Sequence, residues 1–198
     1  MKLFLLSAFL MIILFQLTAQ KPSNNTFFHD KNAWNSFADT TKARVILDTI
    51  KVLTYAGDFQ RGIELSRWAI GLSKESDTLM AKAQYALGKL KLSAGDLDSS
   101  KYYLDKNINF VLKHFGRENE FYANTINAIG IYNLNKGNYS EAINKYREAL
   151  SINQKIKDPN DLQIANNYNN IGVVYYQLQQ LDSVSYYLQK ALNIKLLN

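Results

Sequence analysis

The chain repeats itself. Asn127-Ala128-Ile129-Gly130 returns 42 residues later as Asn169-Asn170-Ile171-Gly172. In the same ungapped register Ile131 falls on Val173, Tyr139 on Leu181, Ala142 on Val184 and Tyr146 on Leu188, then Ala149 on Ala191 and Leu150 on Leu192. A shift of 42 the other way puts Gly130 on Gly88, Gly137 on Gly95 and Tyr146 on Leu104. A fourth copy lies 38 residues earlier, where Gly57-Asp58-Phe59 matches Gly95-Asp96-Leu97. Such a period means that one supersecondary unit is stacked on copies of itself, since one unit cannot bury its own apolar face. The units are read as about 42–76, 77–118, 119–160 and 161–198.

Each unit reads as two helices. In the third, Ile126, Ile129, Gly130 and Asn133 share one face of a first helix, helix A. Gly137 stands where a left-handed residue would stop it. Tyr139, Ala142, Ile143, Tyr146, Ala149 and Leu150 then form the packed stripe of a second helix, helix B. Gly130, Ala142 and Ala149 let the two backbones approach. The same register predicts helices over about 42–55 and 59–74, 77–93 and 97–114, 119–135 and 139–156, and 161–178 and 181–197. Three units depart from the pattern: the first has Ile50 in place of the helix-A glycine, the second has Ser100 and Asn107 at the small helix-B positions, and the fourth has Gln179 in place of the turn glycine and Val184 in place of Ala142. The fold class is all-α, about four antiparallel helix pairs in a stack.

Composition narrows the chemistry. With Cys 0 and His 2, the chain has no disulfide framework, no thiolate metal site and little for a histidine-based one. No GxSxG, HExxH, P-loop, GxGxxG or EF-hand pattern occurs. No catalytic residue, metal site or cofactor is therefore expected, and the chain is read as a non-enzyme. The net charge of +6 is scattered among 17 acidic residues without a basic stripe, which argues against nucleic acid as a partner.

Residues 1–19 are unlike the rest. Lys2 is followed by an apolar run from Leu3 to Phe15 and by small Thr18-Ala19, the layout of a secretory signal. That run of about 13 residues is short of the roughly 20 a membrane-spanning helix needs. The expectation is cleavage after Ala19, with an uncleaved anchor as the alternative, and export to the periplasm or medium of a bacterium. No stable membrane span is expected after cleavage. Residues 20–41 are read as a flexible linker, or as a short leading helix built on Trp34 and Phe37.

The third unit, ANTINAIGIYNLNKGNYSEAINKYREALSI, and the fourth, ANNYNNIGVVYYQLQQLDSVSYYLQKALNI, resemble the tetratricopeptide repeat family. The 42-residue period is similar to its long-helix subtype, found in kinesin light chains, bacterial sensor kinases and proteins ending in a CHAT protease domain. The resemblance covers about residues 42–198. It implies a right-handed superhelical solenoid that binds a protein or peptide along a concave groove lined by the A helices. Carried onto this chain, the groove residues would be Asn124, Asn127 and Ile131 in the third unit, with Asn166, Asn169 and Val173 in the fourth. Lys82, Tyr85 and Lys89 take the matching places in the second unit and give the groove a basic end.

Asparagine is a poor helix former, so its clustering on helix A suggests amides used to grip a peptide backbone. The alternative is solvated asparagine in a chain that carries 21 of them. The pairs Tyr102-Tyr103, Tyr175-Tyr176 and Tyr186-Tyr187 are read as one ring inward and one outward, for packing. Exposed aromatics in the groove would instead suit a glycan. Leu192, Ile194, Leu196 and Leu197 leave the last helix apolar, without the polar cap a repeat stack needs. Either a further repeat or effector domain follows, making this the sensor part of a signalling enzyme, or self-association covers that face.

Overall fold

The structure, a computed structural model, describes residues 36–197. The expected leader over 1–19 and residues 20–35 of the linker, Trp34 included, lie outside the described residues. Every regular element among the described residues is an α-helix: α1 (Asp39–Tyr55), α2 (Phe59–Leu72), α3 (Asp77–Ser93), α4 (Leu97–Phe115), α5 (Glu120–Asn135), α6 (Tyr139–Ile156), α7 (Leu162–Gln177) and α8 (Leu181–Lys195). Each boundary lies within three residues of the one that the repeat register predicts. Residues 39–41 join α1, while Phe37 precedes it in a non-helical bend.

The two helices of each pair are joined by one turn, used four times. The A helix ends in a left-handed residue, Gly57 (φ 74°), Gly95 (φ 79°), Gly137 (φ 75°) or Gln179 (φ 58°). In the third pair the Gly137 N–H donates to the Leu134 carbonyl and the Asn138 N–H to the Asn133 carbonyl, both at 2.9 Å, a Schellman closure. Gln179 and Gln180 make the same two bonds to Tyr176 and Tyr175, so the fourth pair keeps the turn without the glycine. A side chain in the left-handed region carries strain of about 1–2 kcal/mol. The next residue caps the B helix where it is Asp: Asp58 accepts from the Arg61 N–H and Asp96 from the Ser99 N–H. A bond from Lys91 Nζ, with the bonds from Ser99, lowers the Asp96 pKa to about 2.

The described residues divide into two compact units, meeting in the chain between Ala83 and Gln84 within α3. In the first unit Ala43, Ile46, Ile50 and Leu53 of α1 and Ile63 and Ala69 of α2 are buried. Ile50 has no glycine's gap to offer. Its B-helix counterpart is the buried Ser66, whose hydroxyl turns back onto the Gly62 carbonyl at 2.8 Å.

The second unit is built on close A–B contacts. A Cβ on Gly130 would lie 2.5 Å from Tyr146 Cε1, and one on Gly88 would lie 2.9 Å from Leu104 Cδ2. Both partners are sealed, with Leu104 0% and Tyr146 1% exposed. Ser100 donates its hydroxyl to the Gly88 carbonyl at 3.0 Å, which ties the B-helix side chain to the A-helix backbone. Tyr146 continues into a cluster with Ala142, Ile143, Ile171 and Val174, so α7 packs on α6.

A polar seam runs beside that apolar contact. Asn153 of α6 donates to Asn167 Oδ1 of α7 at 2.7 Å. Asn127 Oδ1 of α5 accepts from Asn167 at 3.1 Å and from Asn170 at 2.9 Å. One pair earlier the position of Asn167 is held by Thr125, whose hydroxyl meets Asn107 Oδ1 at 2.5 Å. Asn107, Thr125, Asn153 and Asn167 are all buried.

Two expectations follow. Gly130→Ala drives a methyl into an immobile ring, and overpacking of about 1–3 kcal/mol should outweigh the roughly 1 kcal/mol of helix propensity gained. Gly172→Ala meets Leu188 Cδ2 at 3.1 Å, and that side chain is 40% exposed and free to shift, so the propensity gain should win. Thermal melts should show the first variant destabilised and the second unchanged or raised. In the seam, Asn167→Ala strands the buried Asn153 amide and should lose about 1–3 kcal/mol in urea. Replacing both Asn153 and Asn167 by Leu should recover most of that loss, because no orphaned partner remains between them.

Candidate binding face of the A helices

The sides of α7 show how an A helix is used. One docks on the preceding pair through Asn167, Asn170, Ile171 and Val174. A second packs on α8, where a Cβ on Gly172 would meet Leu188 and the Tyr175 and Tyr187 rings stack at 5.4 Å with 9° between planes. A third carries Asn166, Val173 and Gln177, all exposed. The matching positions of α5 are Asn124 and Ile131, both half-buried, and exposed Asn135. On α3 they are Lys82 and Lys89, both exposed. Lys82 belongs to the first unit; the face built by the second consists of the α5 and α7 residues with Lys89 on α3.

The structure separates residues that the sequence placed together. Asn127 is turned toward the following pair, its carbonyl oxygen engaged by Asn167 and Asn170. Asn169 is its equivalent in the fourth pair and is half-buried. Tyr85, at the same register in α3, is half-buried with its hydroxyl withdrawn from water, which pushes its pKa up to about 12. Ile131 leans on the α6–α7 cluster with one side. Asn124 and Asn166 differ from these: neither amide has a hydrogen-bond partner among the described residues. They stand one repeat apart at equivalent positions.

The electrostatics of this face are plain. α7 carries no charged residue, and the only one on α5 is Glu120 in its first turn. Each of these amides offers an N–H donor and a carbonyl acceptor, which can complement the one C=O and one N–H of a peptide unit. The tyrosine pairs fall elsewhere: Tyr102, Tyr176 and Tyr186 are exposed and Tyr103, Tyr175 and Tyr187 half-buried, one ring outward in each. The inward rings have work, since Arg147 donates to the Tyr175 hydroxyl at 3.0 Å and to that of Tyr187 at 3.4 Å. Among the described residues no group of three His, Asp or Glu side chains could hold a metal ion. Among them no helix is long and apolar enough to cross a membrane.

Sequence reasoning missed the amide seam. Its signal was available in the register: Asn167 falls on Thr125, a position between the two edges of the A-helix face, and Asn153 falls on apolar Val111 in the B stripe.

Comparison with solved structures gives the same architecture. The crystal structure of BtubC (BKLC) from P. vanneervenii is 21% identical with a TM-score of 0.66, over 80% of this chain and 63% of that one. A putative kinesin light chain from Podosopora anserina with nearly identical TPR-like repeats is 13% identical with a TM-score of 0.64, over 81% and 77%. PilF of Pseudomonas aeruginosa is 18% identical with a TM-score of 0.56, over 80% and 63%. This chain thus spans less than two thirds of the first and third of these proteins. No curated protein sequence matches it. The tetratricopeptide repeat family profile matches residues 79–155 and 121–196. The chain belongs to the tetratricopeptide repeat family.

Proposed function

We propose that this protein is an exported, non-catalytic scaffold that holds an extended segment of another protein along the A helices of its second unit. The observation that carries the reading is the pair Asn124 and Asn166. Both amides lack an internal partner, they recur at one repeat's spacing, and the helices under them are nearly uncharged. An amide in a helix costs stability relative to alanine, so unpaired amides at a repeated position are best accounted for by a ligand. Ile131 and Val173 offer aliphatic surface between them, and Lys89 adds a cation at the α3 end for a ligand carboxylate. Such a site grips backbone more than side chains, so its partners share an extended conformation and not a tight consensus.

Random peptides displayed on phage should enrich against the purified protein. The double variant Asn124→Ala/Asn166→Ala should lose at least about tenfold in affinity for them while its melting temperature stays the same or rises. Enrichment that survives the double variant would sink the reading.

Export rests on Lys2, the apolar run from Leu3 to Phe15 and small Thr18-Ala19. Intact mass and immunoblot of fractionated source cells should find a soluble envelope or secreted species of roughly 20.5 kDa, cut near Ala19. A much larger membrane-bound species would instead make this chain the sensor region of a signalling enzyme.

A further inference from the structure

A cavity of about 470 Å³ opens where the end of α6, the start of α7 and the end of α8 come together. One repeat earlier the chain fills the equivalent place itself. Buried Tyr122 of α5 donates its hydroxyl to Glu148 Oε1 of α6 at 2.8 Å, and Arg117 lies over the ring at 5.9 Å from its centroid. Beside them Lys155 donates to Glu118 at 2.8 Å. All five residues are exchanged in the fourth pair: Arg117 for Pro159, Glu118 for Asn160, Tyr122 for Ile164, Glu148 for Lys190 and Lys155 for Leu197. Each of the replacements lines the cavity.

The groups that close the third pair lie between residues 117 and 155, so none of them comes from the helices that follow. The next link does reach back, Lys157 to Glu120 at 3.8 Å, but the counterpart of Glu120 is Leu162, which is not part of the cavity wall. The opening therefore follows from the fourth pair's own side chains. Ile164 and Lys190 stand at the two ends of the path by which the Tyr122 phenol reaches Glu148, so what the fourth pair lacks is a ring. Tyr168, in the place of Ile126, does not restore it. It lines the cavity while its hydroxyl accepts from Gln154 of α6 at 3.1 Å.

We propose that this cavity binds one small aromatic carboxylate, a free molecule of one or two rings. Its ring takes the place of the Tyr122 phenol, against Ile164, Ile194 and the Tyr168 ring. The exchange at the far end sets its charge: where Glu148 accepts from a hydroxyl, Lys190 donates, and the group that answers a cation is an anion. Lys190 makes no ion pair among the described residues and rests over the Tyr186 ring, 5.6 Å from its centroid. The Asn193 side-chain nitrogen adds a second donor, the carbonyl of that amide being taken by Gln189 at 2.7 Å. The volume falls within the roughly 300–1,000 Å³ of small-molecule sites. The cavity shares no residue with the Asn124–Asn166 line, so either can fail without the other.

The test titrates the full chain with 3-phenylpropanoate and with 2-naphthylacetate, followed by ligand-observed NMR, with 3-phenylpropan-1-ol as the uncharged control. Both acids should bind saturably with a Kd of about 1 mM or tighter, and the alcohol several-fold more weakly. Lys190→Gln, at an exposed position, should remove the advantage of acid over alcohol without lowering the melting temperature. Ile164→Tyr/Lys190→Glu rebuilds the third pair's arrangement and should abolish binding of acid and alcohol alike, with the melting temperature unchanged or raised. If that double variant does not fold, Lys190→Gln and the acid–alcohol pair decide alone. No saturable binding of either acid, an alcohol that binds as tightly as the acid, or binding indifferent to Lys190→Gln would overturn the proposal. So would an acetylated peptide ending in Phe that competes with 3-phenylpropanoate and binds about tenfold tighter, because the occupant would then be the end of a protein chain.

Discussion

The structure depends on how closely the two helices of a pair can approach at one crossing point. Gly88, Gly130 and Gly172 face Leu104, Tyr146 and Leu188 across that point, at distances that leave no room for a methyl on Gly88 or Gly130. The rule being kept is a volume, not a residue. In the first pair the bulk changes sides, with buried Ile50 on the A helix and buried Ser66 on the B helix. Large opposite small fills the crossing to interior density in either arrangement. That swap explains how α1 and α2 form at the predicted places although the first unit lacks the glycine that marks the others.

The contact between successive pairs obeys a second constraint. Apolar packing of Ile143 and Tyr146 on Ile171 and Val174 is non-directional, and a helix could slide on it by a turn. The Asn153–Asn167–Asn127–Asn170 chain resists sliding, because Asn153 and Asn167 moved out of register would be buried polar groups without a partner. Thr125 and Asn107 make a comparable buried polar contact one pair earlier, with a shorter side chain on the A helix and the amide one turn back on the B helix. The seam therefore fixes register where the leucines and isoleucines supply attraction, a division familiar from single buried asparagines in coiled coils.

The fold was legible because the features that define it are local and repeated. Gly137 and its equivalents announce the turn, and the stripe Ala142, Ile143, Tyr146, Ala149 announces the buried side of α6; the structure buries all four. Even Gln179 was legible by position, since two backbone hydrogen bonds require the left-handed conformation and the flanking helices enforce it. The binding face was legible only in part. A sequence shows that Asn124, Asn127, Asn166 and Asn169 lie near one another on helical surfaces, but it weighs solvent against ligand and omits the amide of a neighbouring helix. Distribution was the stronger clue. None of the 21 asparagines falls between residues 36 and 106, and 17 follow residue 106, where the seam and the uncharged A helices lie.

In a stacked repeat the role of a side chain is set by what comes after it as much as by its own helix. Asn127 and Asn169 have the same place on an A helix, and both are half-buried. Asn127 is locked by the helix that follows, through Asn167 and Asn170, whereas Asn169 has no such bond among the described residues. Ile131 and Val173 differ in the same way. Positions 124 and 166 share an amide without an internal partner but not the same exposure, Asn124 being half-buried and Asn166 exposed. Register therefore transfers the chemistry of a binding residue from one repeat to another, while its exposure depends on what packs around it. The same residues that would bind a ligand in one repeat can serve as internal contacts in another.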